Sequence, residues 1–130
     1  PTTFMNKSGA AVSVVSNFFK IKQEDILVIY DEVDLPFAKI RMSHEGLSAG
    51  HQGIESIIKS LGGFEFSRLR VGIGRPKEDD GKRVRDIADF VLEDFTDDEK
   101  KILGGVIAKC VEAAKSYLAD GLQATMNKFN

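Results

Sequence analysis

The stretch ILVIYDE, Ile26–Glu32, decides the fold class of this chain. Its first five residues form a short, continuous apolar run rich in β-branched side chains, which is typical of a strand buried on both faces of an α/β sheet. Asp31 stands at the carboxyl end of the run. Ligand sites in open α/β sheets gather at the carboxyl ends of strands. We therefore predict a buried strand with a candidate functional carboxylate at its end.

Helices and strands alternate around this strand. Apolar spacing predicts helices over residues 8–20, 54–61, 84–92, 97–120 and 122–129, and alternation predicts strands over 39–42 and 68–74. This order indicates an α/β fold, a three-layer αβα domain with a mixed central sheet. A sheet usually has about five or six strands. We therefore expect that the first strands of the sheet precede this sequence.

Short local signals predict where the helices begin and end. Ser8 is a plausible N-cap, the pair Gly62 and Gly63 stops a helix, and TDDE at 96–99 is a capping box. Gly121 ends the long helix. The predicted buried face of that helix consists of Ile102, Leu103, Val106, Ile107, Cys110, Ala114, Tyr117 and Leu118.

Composition indicates a single domain over residues 1–130. The chain has 130 residues, a net charge of −2 and one cysteine, so no internal disulfide forms and a reducing compartment fits. We read Cys110 as buried filler and not as a nucleophile. No apolar run reaches the roughly 18 residues of a membrane span, and no signal-peptide pattern is present. We therefore expect a cytoplasmic protein without a membrane partner.

Taken one at a time, each candidate functional residue also has a purely structural interpretation. Asp31 is about as often a turn or cap residue as a functional carboxylate, and Asp34 reads as a turn residue. His51 follows a flexible loop and could act as a general acid or base, although a lone loop histidine is more often a surface residue. His44 takes the surface interpretation. Two histidines and one cysteine predict no zinc site.

Two further patterns could contact phosphate. The loop GLSAGHQG at 46–53 opens a helix, yet it matches neither the P-loop nor the dinucleotide fingerprint. A basic cluster could hold a nucleic-acid backbone, with a solvated charged face as the alternative. The cluster consists of Arg68, Arg70, Arg75, Lys77, Lys82, Arg83 and Arg85.

Four segments, taken together, resemble bacterial peptidyl-tRNA hydrolase. They are PTTFMNKSG (1–9), ILVIYDEVDLP (26–36), SAGHQGIESIIKSLG (48–62) and RLRVGIGRP (68–76), and the closing GLQATMNKFN (121–130) is also similar to the family's tail. Their order and spacing match as well, over essentially the whole chain. The resemblance implies an esterase that releases peptide and free tRNA from peptidyl-tRNA, with water as the nucleophile and without metal or cofactor. It also implies a monomeric, cytoplasmic full-length protein.

The resemblance assigns roles to individual residues. Asp31 matches the carboxylate that orients and stabilises the catalytic histidine, and His51 matches a supporting histidine. A carboxylate on one ring nitrogen fixes the tautomer and raises the basicity of the other. The residues implied to contact substrate or tRNA are Phe4, Met5, Asn6, Gly50, Gln52 and Arg70, the last of them through tRNA phosphate.

Some family features are not matched. We expect the general-base histidine to lie in a preceding segment, after a glycine-rich first strand, since none of residues 1–130 matches it. Gln52 replaces the usual asparagine, and Ser43 replaces a basic residue. Glu45 would repel RNA phosphate. We therefore keep two alternatives, a catalytically inactive RNA-binding protein on the hydrolase fold and a truncated product that folds poorly.

Overall fold

The computed structural model describes residues 1–44, 46–75 and 86–130. Glu45 and residues 76–85, which include the start of the helix predicted over 84–92, lie outside the described residues. The elements in chain order are α1 (Ser8–Phe19), β1 (Leu27–Glu32), β2 (Ile40–His44), α2 (Gln52–Leu61), β3 (Ser67–Gly72), α3 (Ile87–Phe90) and α4 (Asp97–Phe129). The predicted order of helices and strands is confirmed, and the chain has an α/β fold.

The strands form a mixed sheet in the order β1-β3-β2. The Ser67 amide donates to the Ile26 carbonyl at 2.9 Å, and the Ile73 amide donates to the Glu32 carbonyl at 3.1 Å. Both partners advance in the same chain direction, so β1 and β3 are parallel.

The second pairing in the sheet is antiparallel. Gly72, at the end of β3, donates to the Lys39 carbonyl at 2.7 Å and accepts from the Ala38 amide at 3.1 Å, just before β2 begins. A Cβ at Gly72 would collide with the Pro36 carbonyl oxygen. A glycine is therefore required at this position, because no side chain fits against the neighbouring backbone.

The described chain divides into two compact units. One consists of Pro1–Val28 and Ser43–Arg68, and the other of Ile29–Met42 and Leu69–Asn130. The prediction of a single domain over residues 1–130 stays a prediction.

In the first unit, α1 and α2 pack closely through a glycine. The Gly9 amide donates to Ser56 Oγ at 3.0 Å. A Cβ at Gly9 would overlap the Ser56 carbonyl group, so only glycine allows this approach. The apolar core of this unit includes Ile54, Ile57 and Phe66, which are at most 4% exposed. This packing sets the spacing between the segments that precede α1 and α2.

In the second unit, α4 carries a sharp bend and ends on β2. The predicted capping box is present, because Glu99 N donates to Thr96 Oγ1 at 3.3 Å and Thr96 N donates to Glu99 Oε2 at 2.8 Å. Gly121 is non-helical, with φ 80° and ψ 177°, so the predicted break between two helices is confirmed. The Asn130 side chain accepts from Met42 N at 2.7 Å and donates to the Met42 carbonyl at 2.9 Å. These two bonds occupy backbone groups of the outer strand β2.

Burial differs from the sequence predictions in both strands and helices. The prediction that β1 is buried on both faces is wrong, since Ile29 is 50% exposed. The predicted buried face of α4 is wrong at Ile102, Ile107 and Leu118, all exposed, because the helix instead buries Val106 with the small residues Ala113, Ser116 and Thr125. Apolar periodicity identifies a stripe but does not report what lies against it.

The N-cap prediction for Ser8 is also wrong. Lys7 occupies the cap position without a side-chain cap bond, because the chain enters α1 through a 3₁₀ turn at Met5–Lys7. Ser8 is instead the first helical residue, and its hydroxyl lies 3.9 Å from Met5 Sδ. None of the described helices has both the length and the apolar character needed to cross a membrane.

Candidate active site and RNA-binding residues

The predicted substrate-contacting residues before α1 lie at the surface. The turn closes through a bond from the Lys7 amide to the Phe4 carbonyl at 2.8 Å. Phe4 is 81% exposed and Met5 54% exposed, and Asn6 is exposed as well. This short turn therefore displays an aromatic ring, a thioether and an amide in succession.

Met5 and His51 come together at the start of α2. A Cβ added to Gly53 would lie 2.5 Å from Met5 Sδ and 3.0 Å from His51 Cε1. Both side chains therefore lie against the bare backbone of Gly53, which is buried. The structure brings two of the predicted site residues together, although they are 46 positions apart in the sequence (51 − 5 = 46).

The imidazole of His51 caps α2. Its Nδ1 accepts a hydrogen bond from the Ile54 amide at 3.3 Å, which satisfies one of the unpaired donors of the first helical turn. In the neutral ring the accepting Nδ1 carries no proton, so the proton is on Nε2. The cap thus fixes the ring and its tautomer, which suits a supporting role better than that of a freely moving base.

The loop before His51 requires unusual backbone angles. Gly46, Ala49 and Gly50 have φ values of 125°, 48° and 83°. The Cβ that an alanine would add at Gly50 meets open space, so the left-handed φ is the reason for glycine there. Gln52, the first residue of α2, is exposed. The predicted substrate residues Gly50 and Gln52 therefore flank the half-buried His51.

Asp31 and Arg70 belong to the second unit. Asp31 is the fifth residue of the six in β1, so it lies within the strand rather than after it, and it is half-buried. Its neighbour Glu32 is 8% exposed, and Glu32 Oε1 accepts from the Asp34 amide at 3.1 Å. The turn prediction for Asp34 agrees with this bond. Asp31 and Glu32 are consecutive residues of β1, so their side chains point to opposite faces of the sheet.

The predicted basic cluster divides into residues with different surroundings. Arg70 is half-buried in β3, and its Nε has no hydrogen-bond partner among the described residues. Arg75 is exposed and forms an ion pair with Asp34, in agreement with the solvated-face alternative. Arg68 is only 2% exposed, so the phosphate-binding prediction is wrong for this residue. Lys77, Lys82, Arg83 and Arg85 lie outside the described residues.

Sequence reasoning missed the structural part that Arg68 plays. Its Nη1 donates to the Leu47 carbonyl at 2.8 Å, Nη2 donates to the Gly46 carbonyl, and the guanidinium carbon lies 4.7 Å from the centroid of the Phe66 ring. A charged residue in an alternating strand normally indicates a solvated face. The loop carbonyls are 21 and 22 residues away, and no short-range pattern reports such a contact.

Other groups contribute little to a candidate site. Burial raises the pKa of the half-buried Cys110 thiol, an effect partly offset by Lys109, so this thiol is a poor nucleophile. Among residues 1–44, 46–75 and 86–130, no three His, Cys, Asp or Glu side chains are grouped to hold a metal ion. An apolar cleft in the first unit contains none of the predicted site residues. It is lined by Pro1, Ala11, Val12, Val15, Ser16, Ile21, Asp25 and Ile26.

The fold and these residues define an α/β protein with a mixed sheet and a capped histidine behind a glycine-rich loop. Comparison with known proteins identifies the family. The family model for peptidyl-tRNA hydrolase matches residues 1–130. The chain belongs to the peptidyl-tRNA hydrolase family.

Individual relatives agree with the family match. A peptidyl-tRNA hydrolase from Pseudothermotoga lettingae is 46% identical over 130 residues, and one from Chloroflexus aggregans is 43% identical over 131 residues. Each alignment covers the whole of this chain and 67% of the relative. The crystal structure of peptidyl-tRNA hydrolase from Acinetobacter baumannii superposes with a TM-score of 0.86 at 33% identity, covering 100% of this chain and 63% of that one. The chain thus spans about two thirds of the length of the relatives it matches.

Proposed function

We propose that this protein acts in the hydrolysis of the ester bond that joins a peptide to the 3′ end of tRNA, releasing peptide and free tRNA. The observation that carries the proposal is the family match over residues 1–130. The alternative of an inactive RNA-binding protein is not favoured, because the similar proteins are named hydrolases.

In the proposed reaction, the oxygen of a water molecule attacks the ester carbonyl carbon while a histidine base takes the water proton. The bond to the 3′ oxygen of the tRNA then breaks, and that oxygen receives a proton. Asp31 would accept a hydrogen bond from the histidine and stabilise the imidazolium as it forms. We do not assign the base to His51, because its Nδ1 is engaged by the Ile54 amide.

The exposed turn before α1 would bind the acylated end of the substrate. The Asn6 amide offers both a donor and an acceptor for the ester or the peptide backbone. Phe4 and Met5 would pack against the terminal base or the peptide. His51, whose tautomer is fixed by the cap, would support the acylated end of the substrate by donating a hydrogen bond from Nε2.

Arg70 would bind a tRNA phosphate. Arg70 is half-buried and not fully enclosed, and a planar guanidinium is suited to phosphate geometry. A net charge of −2 means that attraction to RNA must come from local groups and not from the protein as a whole. We further propose that the protein is cytoplasmic, that the full-length protein is monomeric and that it uses no metal or cofactor.

The test is release of tRNA from an N-blocked aminoacyl-tRNA by the full-length protein that contains residues 1–130, with the Asp31→Asn variant beside it. Asp34→Asn is the matched control, because Asp34 is exposed and pairs with Arg75 at the surface. Turnover that Asp31→Asn removes and Asp34→Asn retains supports the proposal. Binding of tRNA without any turnover by the full-length protein would favour the RNA-binding alternative, and the absence of both binding and turnover would reject both functions.

A further inference from the structure

The loop Gly46–Gly50, which leads into His51, is not in a conformation that its sequence prefers. Three of its five residues have positive φ values: Gly46 at 125°, Ala49 at 48° and Gly50 at 83°. An alanine in the left-handed region is strained, and glycines are free to adopt other backbone conformations. Contacts from outside the loop must therefore hold this shape.

Arg68 supplies such contacts at the front of the loop. Its guanidinium donates from Nη1 to the Leu47 carbonyl at 2.8 Å and from Nη2 to the Gly46 carbonyl. The Phe66 ring lies 4.7 Å from the guanidinium carbon, a cation–π distance. Arg68 is 2% exposed, so its position is fixed by packing as well. Two carbonyls bound by one planar group hold Gly46 and Leu47 at the front of the loop in place.

The remaining loop contacts connect this anchor to His51. The His51 amide donates to the Ser48 carbonyl at 2.9 Å, closing a turn immediately after Leu47. The His51 ring then caps α2 through the Ile54 amide. We infer that Arg68 is a positioning residue for His51 and for the Gly46–Gly50 loop, and that it acts on substrate only through them. The consequence for catalysis rests on the proposed function.

This inference separates Arg68 from Arg70, two residues further along β3. A buried Arg68 does not touch phosphate, so its loss changes the geometry of the site but not the number of counterions released on RNA binding. Arg70, if it binds phosphate, contributes to that number. The salt dependence of tRNA binding therefore distinguishes positioning from direct phosphate contact.

The experiment compares Arg68→Met, Arg68→Lys and the control Arg41→Met, which removes an exposed arginine from β2. Amide hydrogen exchange and the imidazole NMR signals of His51 are measured in each. For Arg68→Met we expect exchange at Gly50, His51 and Ile54 to accelerate at least tenfold, with α1 within twofold of the wild type. For Arg68→Lys we expect exchange rates between those of Arg68→Met and the wild type, because one ammonium group reaches fewer carbonyls. The exchange rates of Arg41→Met should match those of the wild type.

The second measurement is the affinity for tRNA between 50 and 200 mM salt. We expect Arg68→Met to raise Kd at least fivefold with an unchanged slope of log Kd against log salt. A flatter slope would overturn the inference by making Arg68 a phosphate contact, and unaltered loop exchange would overturn it as well. If the wild type binds no tRNA, the proposed function fails while the exchange data still decide the positioning role.

If the Arg68 variants do not fold, the positioning role can still be tested by a measurement on the wild-type protein. Rotation about the Cζ–Nε bond of the Arg68 guanidinium, followed by nitrogen NMR, should be slow, with separate signals for its Nη groups. Fast rotation, as in the exposed Arg41, would contradict a guanidinium held by two carbonyls.

Discussion

Replacing Gly9 by alanine is expected to destabilise the protein, whereas the same replacement at Gly104 is expected to stabilise it. Both residues lie within helices, Gly9 in α1 and Gly104 in α4. A Cβ at Gly9 would overlap the Ser56 carbonyl group, while a Cβ at Gly104 has no heavy atom within 4 Å. The surroundings, and not helix propensity, should therefore decide the sign.

The magnitudes follow from three contributions. Alanine favours a helix over glycine by about 1 kcal/mol, and this is the whole effect at Gly104. At Gly9 overpacking costs about 1–3 kcal/mol, and weakening of the bond from Gly9 N to Ser56 Oγ costs about another 1 kcal/mol. The clash is with backbone, which cannot rotate away, so the upper part of the range applies. The net expectation is a loss of about 2–3 kcal/mol for Gly9→Ala and a gain of about 0.5–1 kcal/mol for Gly104→Ala.

Urea denaturation and thermal melting measure these changes. With an unfolding entropy of about 2.1 cal/mol/K for each of 130 residues, 1 kcal/mol corresponds to about 4 °C in Tm. Gly9→Ala should lower Tm by about 8–12 °C, and Gly104→Ala should raise it by about 2–4 °C. Equal stabilisation by both substitutions would refute the close approach of α1 to α2. Unequal m-values would point instead to a changed denatured state.

Three further predictions concern the second unit. Asn130→Ala removes both hydrogen bonds to Met42 and should lower the free energy of unfolding by about 1–3 kcal/mol. Asn130→Asp should retain only the hydrogen bond that the Met42 backbone N–H donates. Urea denaturation at neutral pH that shows no loss of stability would contradict the contact. Burial raises the pKa of Cys110, so thiolate and alkylation should appear at higher pH in the native protein than in urea; identical rate–pH profiles would count against it. Arg70→Ala should raise the KM or Kd for tRNA and reduce the salt slope by about 1, and an unchanged slope would exclude a phosphate contact.

The parts of the fold that sequence predicted depend on short-range rules. The Thr96 capping box, the left-handed Gly62 after α2 and the non-helical Gly121 each follow from residues within about one helical turn. Gly72 fits a similar rule, since a glycine in a strand leaves room for the close approach of a neighbouring backbone.

The parts that sequence missed depend on distant partners. Arg68 lies in an alternating strand that predicted a solvated face, and its burial arises from carbonyls about 20 positions earlier in the chain. Ile29 and Leu118 illustrate the reverse error, because their apolar patterns do not report that they are exposed. For the candidate site, the sequence identified the residues through a family resemblance. The capping role of His51 is visible only in the three-dimensional structure.

The bond between Asn130 and Met42 also has a consequence for how the protein is made. The two residues are separated by 88 positions, so β2 leaves the ribosome long before the side chain that occupies its backbone groups has been synthesised. At about 5–20 residues per second, the interval is roughly 4–18 s. During that time the Met42 N–H and C=O are open to another strand, from the same nascent chain or from a neighbouring one. Slow translation between residues 42 and 130 should therefore lengthen the period in which the nascent chain depends on chaperones.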